Sequence, residues 1–338
     1  MTVSDLGEHA LLARLLARLP RPGAQILVGP GDDAAVIEPG RRTRLVLTTD
    51  ALVEDVHFSS AWSSPADIGH KALAVNLSDL AAMGAVPRWA LVSLALPPTY
   101  PVDAAEALMS GLAGLAAAHG VSVAGGNITR SPGPLVVDVA AGGEVSPRKW
   151  LTRSGGKAGD ELWLSGAVGG ARAGLEMLRD QADVAAKSPG LAACLSRHRR
   201  PEARVRLGVA LARGSAARAA MDVSDGLADA VRQLAHASGC GARVDAEAVP
   251  VEAGARDWWA GRGQDVVSAA VAGGEDYELL LAIPRRWSGR LRHVVQRVTR
   301  PALTRIGALT REKELVLVRN GEAHAWPSGF EHFREPRA

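Results

Sequence analysis

Apolar and polar positions in this chain switch repeatedly between a period of two and a period near 3.6, and the switching divides it into strands and helices. Leu11, Leu12, Leu15, Leu16 and Leu19 recur at helical spacing, so residues 1–20 are expected to form one amphipathic helix, not a signal peptide. Short apolar runs at 25–28, 45–50, 89–96, 121–124 and 135–144 have the length of strands, whereas 66–84 and 102–119 have the length of helices. Pro65 opens the first of these helices, and Gly84 and Pro87 close it. Strands are expected again at 161–164, 242–245, 273–283, 302–309 and 314–319, and helices around 171–180, 188–197, 201–213 and 227–238. This order predicts an α/β (α+β) chain of two domains. The polar, glycine-rich stretch between Ser146 and Gly159 sets the expected boundary, giving domains 1–148 and 149–338.

Composition narrows the class of protein without naming a function. With 338 residues, 47% hydrophobic and 22% charged, the chain can build two substantial cores. Basic and acidic residues nearly balance, 39 against 36, which argues for neither a nucleic-acid nor a membrane partner. No apolar run approaches the roughly 18 residues that a membrane span needs. Two cysteines, Cys194 and Cys240, make no disulfide framework, which fits a cytoplasmic protein.

The candidate chemistry lies in acidic clusters placed where strands end. Asp222-Val-Ser-Asp-Gly puts two carboxylates and a hydroxyl between an apolar run and a helix. One reading is a plain helix cap, with Ser224 as N-cap and Asp225 in the first turn, where the helix dipole favours negative charge. Four further clusters shift the balance towards a site. Gly31-Asp-Asp33 follows a strand, and Thr48-Thr-Asp50 ends another. Asp79 falls in a helix that is apolar nearly all round, where a carboxylate is costly unless paired or metal-bound. Glu275 and Asp276 follow Gly273-Gly274 at the expected start of a strand. Carboxylates and hydroxyls are the hard oxygen donors that Mg²⁺ prefers, and several cations would let them share one cleft. Such cations with glycine-rich turns point to a polyphosphate substrate and to phosphoryl transfer or hydrolysis. The glycines of Ser165–Gly170 suggest a phosphate loop, yet the chain contains no G-x-x-x-x-G-K-[S/T].

The blocks GDDAAVI, TTDALVEDVHF, KALAVNLSDLAAMGAVP, GGNITR, LTRSGGKAGD, MDVSDGLADA, GGEDYELL and GFEHF occur in this order between residues 31 and 333. In sequence and spacing they resemble the thiamine-monophosphate kinase family. That resemblance implies the two-domain fold of aminoimidazole ribonucleotide synthetase, with an N-terminal domain that forms a barrel across a homodimer and a C-terminal domain that completes the active-site cleft. It implies ATP-dependent phosphorylation of thiamine monophosphate to thiamine diphosphate, with several Mg²⁺ ions and with ATP as co-substrate. By motif, Asp33, Thr48, Thr49, Asp50, Asp79, Asn127, Asp222 and Asp225 would hold Mg²⁺. Gly126, Asn127, Arg153 and Ser224 would contact ATP, and His57, Glu275 and Phe330 the thiamine moiety. The family pattern has aspartate where this chain has Asn127, so a charge is missing from the Mg²⁺ ligands. No residue is assigned as a general base. The residues by themselves leave open another acceptor within the superfamily, a metal-dependent phosphohydrolase and a non-catalytic nucleotide binder.

Overall fold

The computed structural model describes residues 1–21, 23–29, 35–181 and 188–327. The chain divides into two compact units, one made of Met1–Leu80 and Ala85–Arg148, the other of Ala81–Gly84 and the residues from Lys149 onward.

The first unit begins with α1 (Val3–Leu6) and α2 (Glu8–Leu16), where a single helix was expected. Gly7 between them has φ +80°, outside the helical region, and so ends α1. Next come β1 (Ile26–Val28), β2 (Val36–Ile37), β3 (Arg44–Val53), α3 (Pro65–Ala82), β4 (Val86–Leu96), α4 (Val102–His119), β5 (Ser122–Arg130) and β6 (Val136–Val145). β1 and β2 form a ribbon of their own, and the other four strands form a sheet in the order β3-β6-β4-β5. Only β4 and β5 run parallel. β5 continues to Arg130, well past the expected end at residue 124, because β4 supplies ladder partners as far as Leu96. Gly126 and Asn127 therefore lie on a strand and not in a turn.

Strand alternation gives this sheet two different faces. Leu52, Val137, Val139, Val92 and Leu94 are buried on one face. On the other, Leu45, Leu47 and Leu91 are exposed by 49%, 70% and 43%, an apolar surface left uncovered within this unit. α4 packs on β5 and closely against α3, because two glycines let the helix backbones approach. A Cβ on Gly69 would lie 1.9 Å from the carbonyl oxygen of Leu108, and one on Gly111 would lie 2.0 Å from that of Ala66.

The second unit contains β7 (Glu161–Ser165), α5 (Gly170–Arg179), α6 (Pro189–Arg199), α7 (Val205–Gly214), β8 (Ala219–Val223), α8 (Leu227–Ala237) and β9 (Gly241–Asp245). It continues with α9 (Ala253–Ala260), α10 (Val266–Ala272), β10 (Glu278–Ile283), α11 (Ser288–Arg297), β11 (Leu303–Thr310), β12 (Leu315–Arg319) and β13 (Glu322–Ala325). Its seven-stranded sheet has the order β13-β12-β9-β11-β7-β10-β8, antiparallel except for β9 with β12. Leu162, Leu164, Met221, Val223 and Leu280 of the sheet and Leu227, Val231 and Leu234 of α8 share one core. Among the described residues, no helix is long and apolar enough to cross a membrane.

Two alanine substitutions in α4 are expected to act in opposite directions. Gly111→Ala forces α3 and α4 apart and should cost about 1–3 kcal/mol, as overpacking does. At Gly114 an added Cβ meets nothing within 4 Å. Gly114→Ala should therefore stabilise by about 0.5–1 kcal/mol through helix propensity alone. Urea denaturation of the two variants measures both, and equal effects would contradict the packing described.

Candidate active site

In the first unit the donors are set by β3 and by the C-terminal half of α3. Thr48 and Asp50 are two apart on β3 and face the same side. Thr48 Oγ1 donates to Asp79 Oδ2 at 2.5 Å, tying the strand to the helix. One turn before Asp79 on α3, Asn76 is fully buried. Its Nδ2 donates to the Ala72 carbonyl, while its Oδ1 finds no donor among the described residues.

Thr49 faces the opposite side of the sheet, where its Oγ1 donates to Asp138 Oδ1 at 3.0 Å. Asp138 is paired with Ser93, and Ser93 with Asn127, so these three lie in one row on the face that carries Thr49. The sheet therefore separates Thr49 and Asn127 from Thr48 and Asp50. Asp138 received no role from the sequence, although a carboxylate inside the apolar run 135–144 was a visible signal. Gly126 is the point of closest approach between β4 and β5, since a Cβ there would lie 1.9 Å from the Val92 carbonyl oxygen. His57 ends a tight turn in which its own N–H donates to the Val53 carbonyl and its Nδ1 accepts from the Val53 N–H at 3.1 Å. Lys71, 2% exposed, holds that turn by donating to the His57 carbonyl at 2.9 Å.

In the second unit two turns meet backbone to backbone. Asp222 is the penultimate residue of β8, with 3% exposure, and Ser224 and Asp225 form the turn into α8. The helix-cap reading of Ser224 does not hold, because the N-cap residue is Gly226 at φ +97° and no side chain caps α8. The facing segment, Gly273–Tyr277, precedes β10 and is not yet strand. Glu275 and Tyr277 take φ +68° and +50°, and their N–H groups donate to the Ser224 and Val223 carbonyls at 2.6 and 2.9 Å. Asp222, Ser224, Asp225 and Glu275 are thus gathered in one place. His198 Nδ1, on a side chain that is 3% exposed, lies 2.9 Å from Glu275 Oε2. That pairing is not legible from sequence, because it joins α6 to a turn more than seventy residues away through tertiary packing. Arg153 is exposed, and its Nη1 donates to Gln233 Oε1 at 2.6 Å. Asp33 and Phe330 lie outside the described residues.

The other two acids of this stretch, Asp276 in the turn and Glu278 at the start of β10, are structural. Asp276 accepts from the N–H groups of Gly169 and Ala171 at 2.7 and 3.3 Å, filling the N-terminus of α5. The glycine-rich Ser165–Gly170 segment is thereby committed to a carboxylate of its own chain and not to a phosphate. Glu278 is fully buried and receives Arg204 in a bidentate pair, with Ser165 Oγ at 2.6 Å and Arg197 at 3.2 Å.

Among the described residues, no group of three or more His, Cys, Asp or Glu side chains stands close enough to hold a metal ion. The donors nonetheless suit Mg²⁺, which is usually bound through one or two carboxylates, with waters and substrate phosphates completing its octahedron. Asp79, bonded to Thr48 on the strand that also carries Asp50, and Asp222 with Asp225 three residues on are carboxylates that could serve in this way. The buried, donorless oxygen of Asn76 beside Asp79 adds an acceptor of the same hard type.

Fold and donors together define a two-unit protein of the AIR synthase class. Residues 31–145 match the family AIR synthase related protein, N-terminal domain, and residues 157–319 its C-terminal domain. The thiamine-monophosphate kinase of Salmonella typhimurium is 37% identical over 98% of this chain and 99% of its own. The crystal structure of the Stenotrophomonas maltophilia thiamine-monophosphate kinase superposes with a TM-score of 0.81 at 38% identity, covering 94% of this chain and 98% of that one. AaThiL complexed with AMPPCP and TMP superposes at 0.76 with 31% identity, covering 98% and 99%. The chain belongs to the thiamine-monophosphate kinase family.

Burial pushes the Asp276 carboxyl up to about 7, against the two backbone donors that pull it down. The folded protein therefore keeps a proton that the unfolded chain loses near pH 3.9. The stability this proton contributes is complete below about pH 4 and is lost as pH rises through about 7. Asp276→Asn has no such proton. The difference in melting temperature between wild type and variant should therefore change between pH 4 and 7 and level off above it. A difference that is constant over that window would show that Asp276 ionises normally.

Proposed function

We infer that this protein transfers the γ-phosphoryl group of ATP to thiamine monophosphate, forming thiamine diphosphate and ADP. The observation that carries this reading is the near-complete alignment with thiamine-monophosphate kinases, one of which is known with AMPPCP and TMP bound. AMPPCP is an ATP analogue, and we read TMP as the thiamine monophosphate of the family name.

The chemistry is consistent with a site in which no base is assigned. The acceptor is a phosphate monoester whose second pKa is about 6, so at neutral pH it is already ionised and nucleophilic. What limits the reaction is repulsion between that dianion and the triphosphate. In this reading several Mg²⁺ ions would supply the charge neutralisation, held by Asp33, Thr48, Thr49, Asp50, Asp79, Asn127, Asp222 and Asp225. Thr49 and Asn127 lie on the opposite face of the sheet from Thr48 and Asp50 and so would serve a different ion. Gly126, Asn127, Arg153 and Ser224 bind the nucleotide. His57, Glu275 and Phe330 bind the acceptor. Glu275 offers a negative charge, and Phe330 an aromatic face, to the cationic thiazolium.

The same reading includes a homodimer, an N-terminal Mg/ATP-binding and dimerisation domain over 1–148, and a C-terminal domain over 149–338 that completes the active-site cleft. The dimer closes a barrel across the exposed sheet face of Leu45, Leu47 and Leu91, an apolar surface that a second copy would cover. A cytoplasmic location is supported by Cys194 and Cys240 being free thiols.

Purified protein given ATP, Mg²⁺ and thiamine monophosphate is expected to release thiamine diphosphate and ADP in equal amounts, as followed by chromatography. ADP formed without thiamine diphosphate would replace the kinase with a hydrolase or a different acceptor. The neutral Asn127 should raise the Mg²⁺ requirement. Asn127→Asp should lower the half-saturating Mg²⁺ by roughly an order of magnitude, since ligand charge count sets affinity for hard cations. An unchanged Mg²⁺ dependence would remove Asn127 from the ligand set.

A further inference from the structure

We propose that Gln233 is a positioning residue for the nucleotide, holding Arg153 ready to meet a phosphate, with Asp229 fixing the orientation of Gln233. The proposal rests on Arg153 contacting ATP, as in the reading above.

The geometry forms a relay along α8. Arg153 Nη1 donates to Gln233 Oε1 at 2.6 Å. One turn earlier on the helix, Asp229 accepts from Gln233 Nε2 and also from Arg232 Nη2. A carboxylate can only accept, so it draws the amide NH₂ towards itself and leaves Oε1 facing the guanidinium. Were the amide reversed, two donors would face each other. Asp229 is 4% exposed and Arg232 compensates its charge, so the relay is anchored at a buried, paired acid.

The backbone of Arg153 is held by the same helix. Ser238, immediately after α8, donates to the Arg153 carbonyl at 3.3 Å and accepts from the Gly156 N–H at 3.0 Å. Both ends of this exposed arginine are therefore referenced to α8, which begins directly after Asp222–Gly226. An arginine tied in this way has fewer rotamers to lose when it binds.

The choice of acceptor matters. Glutamine orients the guanidinium while leaving its full charge and its remaining donors for an anion. A glutamate would hold Arg153 more tightly but would neutralise it.

The test measures KM for ATP and for thiamine monophosphate, and kcat, in Gln233→Leu, Gln233→Glu, Arg153→Ala and the double variant Arg153→Ala/Gln233→Leu. Melting temperature serves as the folding control. Gln233→Leu should raise KM for ATP roughly threefold to tenfold, the effect of losing one orienting hydrogen bond. KM for thiamine monophosphate should stay within twofold of wild type. Gln233→Glu should also raise KM for ATP, even though its bond to Arg153 is the stronger one. In the Arg153→Ala background, Gln233→Leu should add nothing.

A rise in KM for ATP with Arg153→Ala but not with Gln233→Leu would overturn the positioning role and leave Arg153 as an ATP contact. An equal effect of Gln233→Leu with and without Arg153 would show that it acts through α8 and not through the arginine. An Arg153→Ala variant with unchanged KM for ATP would remove Arg153 itself from the nucleotide site, and the proposal with it.

Discussion

The second unit depends on a contact in which no side chain fits. A Cβ on Gly226 would lie 2.9 Å from the Gly273 carbonyl oxygen, and one on Gly274 would lie 2.7 Å from that of Ser224. Only glycines allow the turn after β8 to seat against the turn before β10. From that seat the β8–β10 ladder begins at Val223 and Glu278 and continues antiparallel into the core. The seat also gathers Asp222, Ser224, Asp225 and Glu275, which are some fifty residues apart in sequence at the extremes. A hydrophobic core alone would not fix these positions to within a hydrogen bond, but two apposed backbones do.

The segment Gly273–Glu278 shows how one acidic run is divided between tasks. Glu275 lies beside the β8–α8 turn. Asp276 is buried at the N-terminus of α5, and Glu278 in the fork of Arg204. Positive φ at Glu275 and Tyr277 breaks the extended alternation, so successive side chains do not simply point to opposite faces. The two structural acids pull the turn inward from behind. Neither provides a charge for a substrate, because helix N–H groups and guanidinium groups already occupy them.

Much of this organisation was legible in the sequence, and the limits have physical reasons. Helices such as α3 and α4 and the order of strands follow from local periodicity and from their proline and glycine ends. Clustering of carboxylates and hydroxyls at strand ends likewise marks the region of the candidate site. The end of β5 was not legible, because Gly125-Gly-Asn127 looks like a turn until β4 provides a partner. Ser224 looked like a helix cap for a similar reason. The residue order allowed it, and the opposing Gly273–Gly274 backbone moved the cap to Gly226. Pairings such as Thr49 with Asp138 and Glu275 with His198 are set by register and tertiary packing, on which periodicity is silent. Asp33 and Phe330 lie outside the described residues, so their motifs remain sequence-based.

Strand register also decides what the missing charge at Asn127 means. Asp138 lies in the same row of the open face, and a carboxylate there could look like a substitute. Ser93 on β4 stands between them, since Asn127 pairs with Ser93 and Ser93 with Asp138. Two inter-strand spacings separate the outer members of the row by about 10 Å. A Mg²⁺ ion sits about 2.1 Å from its oxygen ligands, so at that spacing side chains standing upright from the sheet would not share one ion. Asp138 is moreover engaged by the Thr49 hydroxyl on its far side. The sheet thus keeps a carboxylate in the row without restoring one at the position where the family pattern has aspartate.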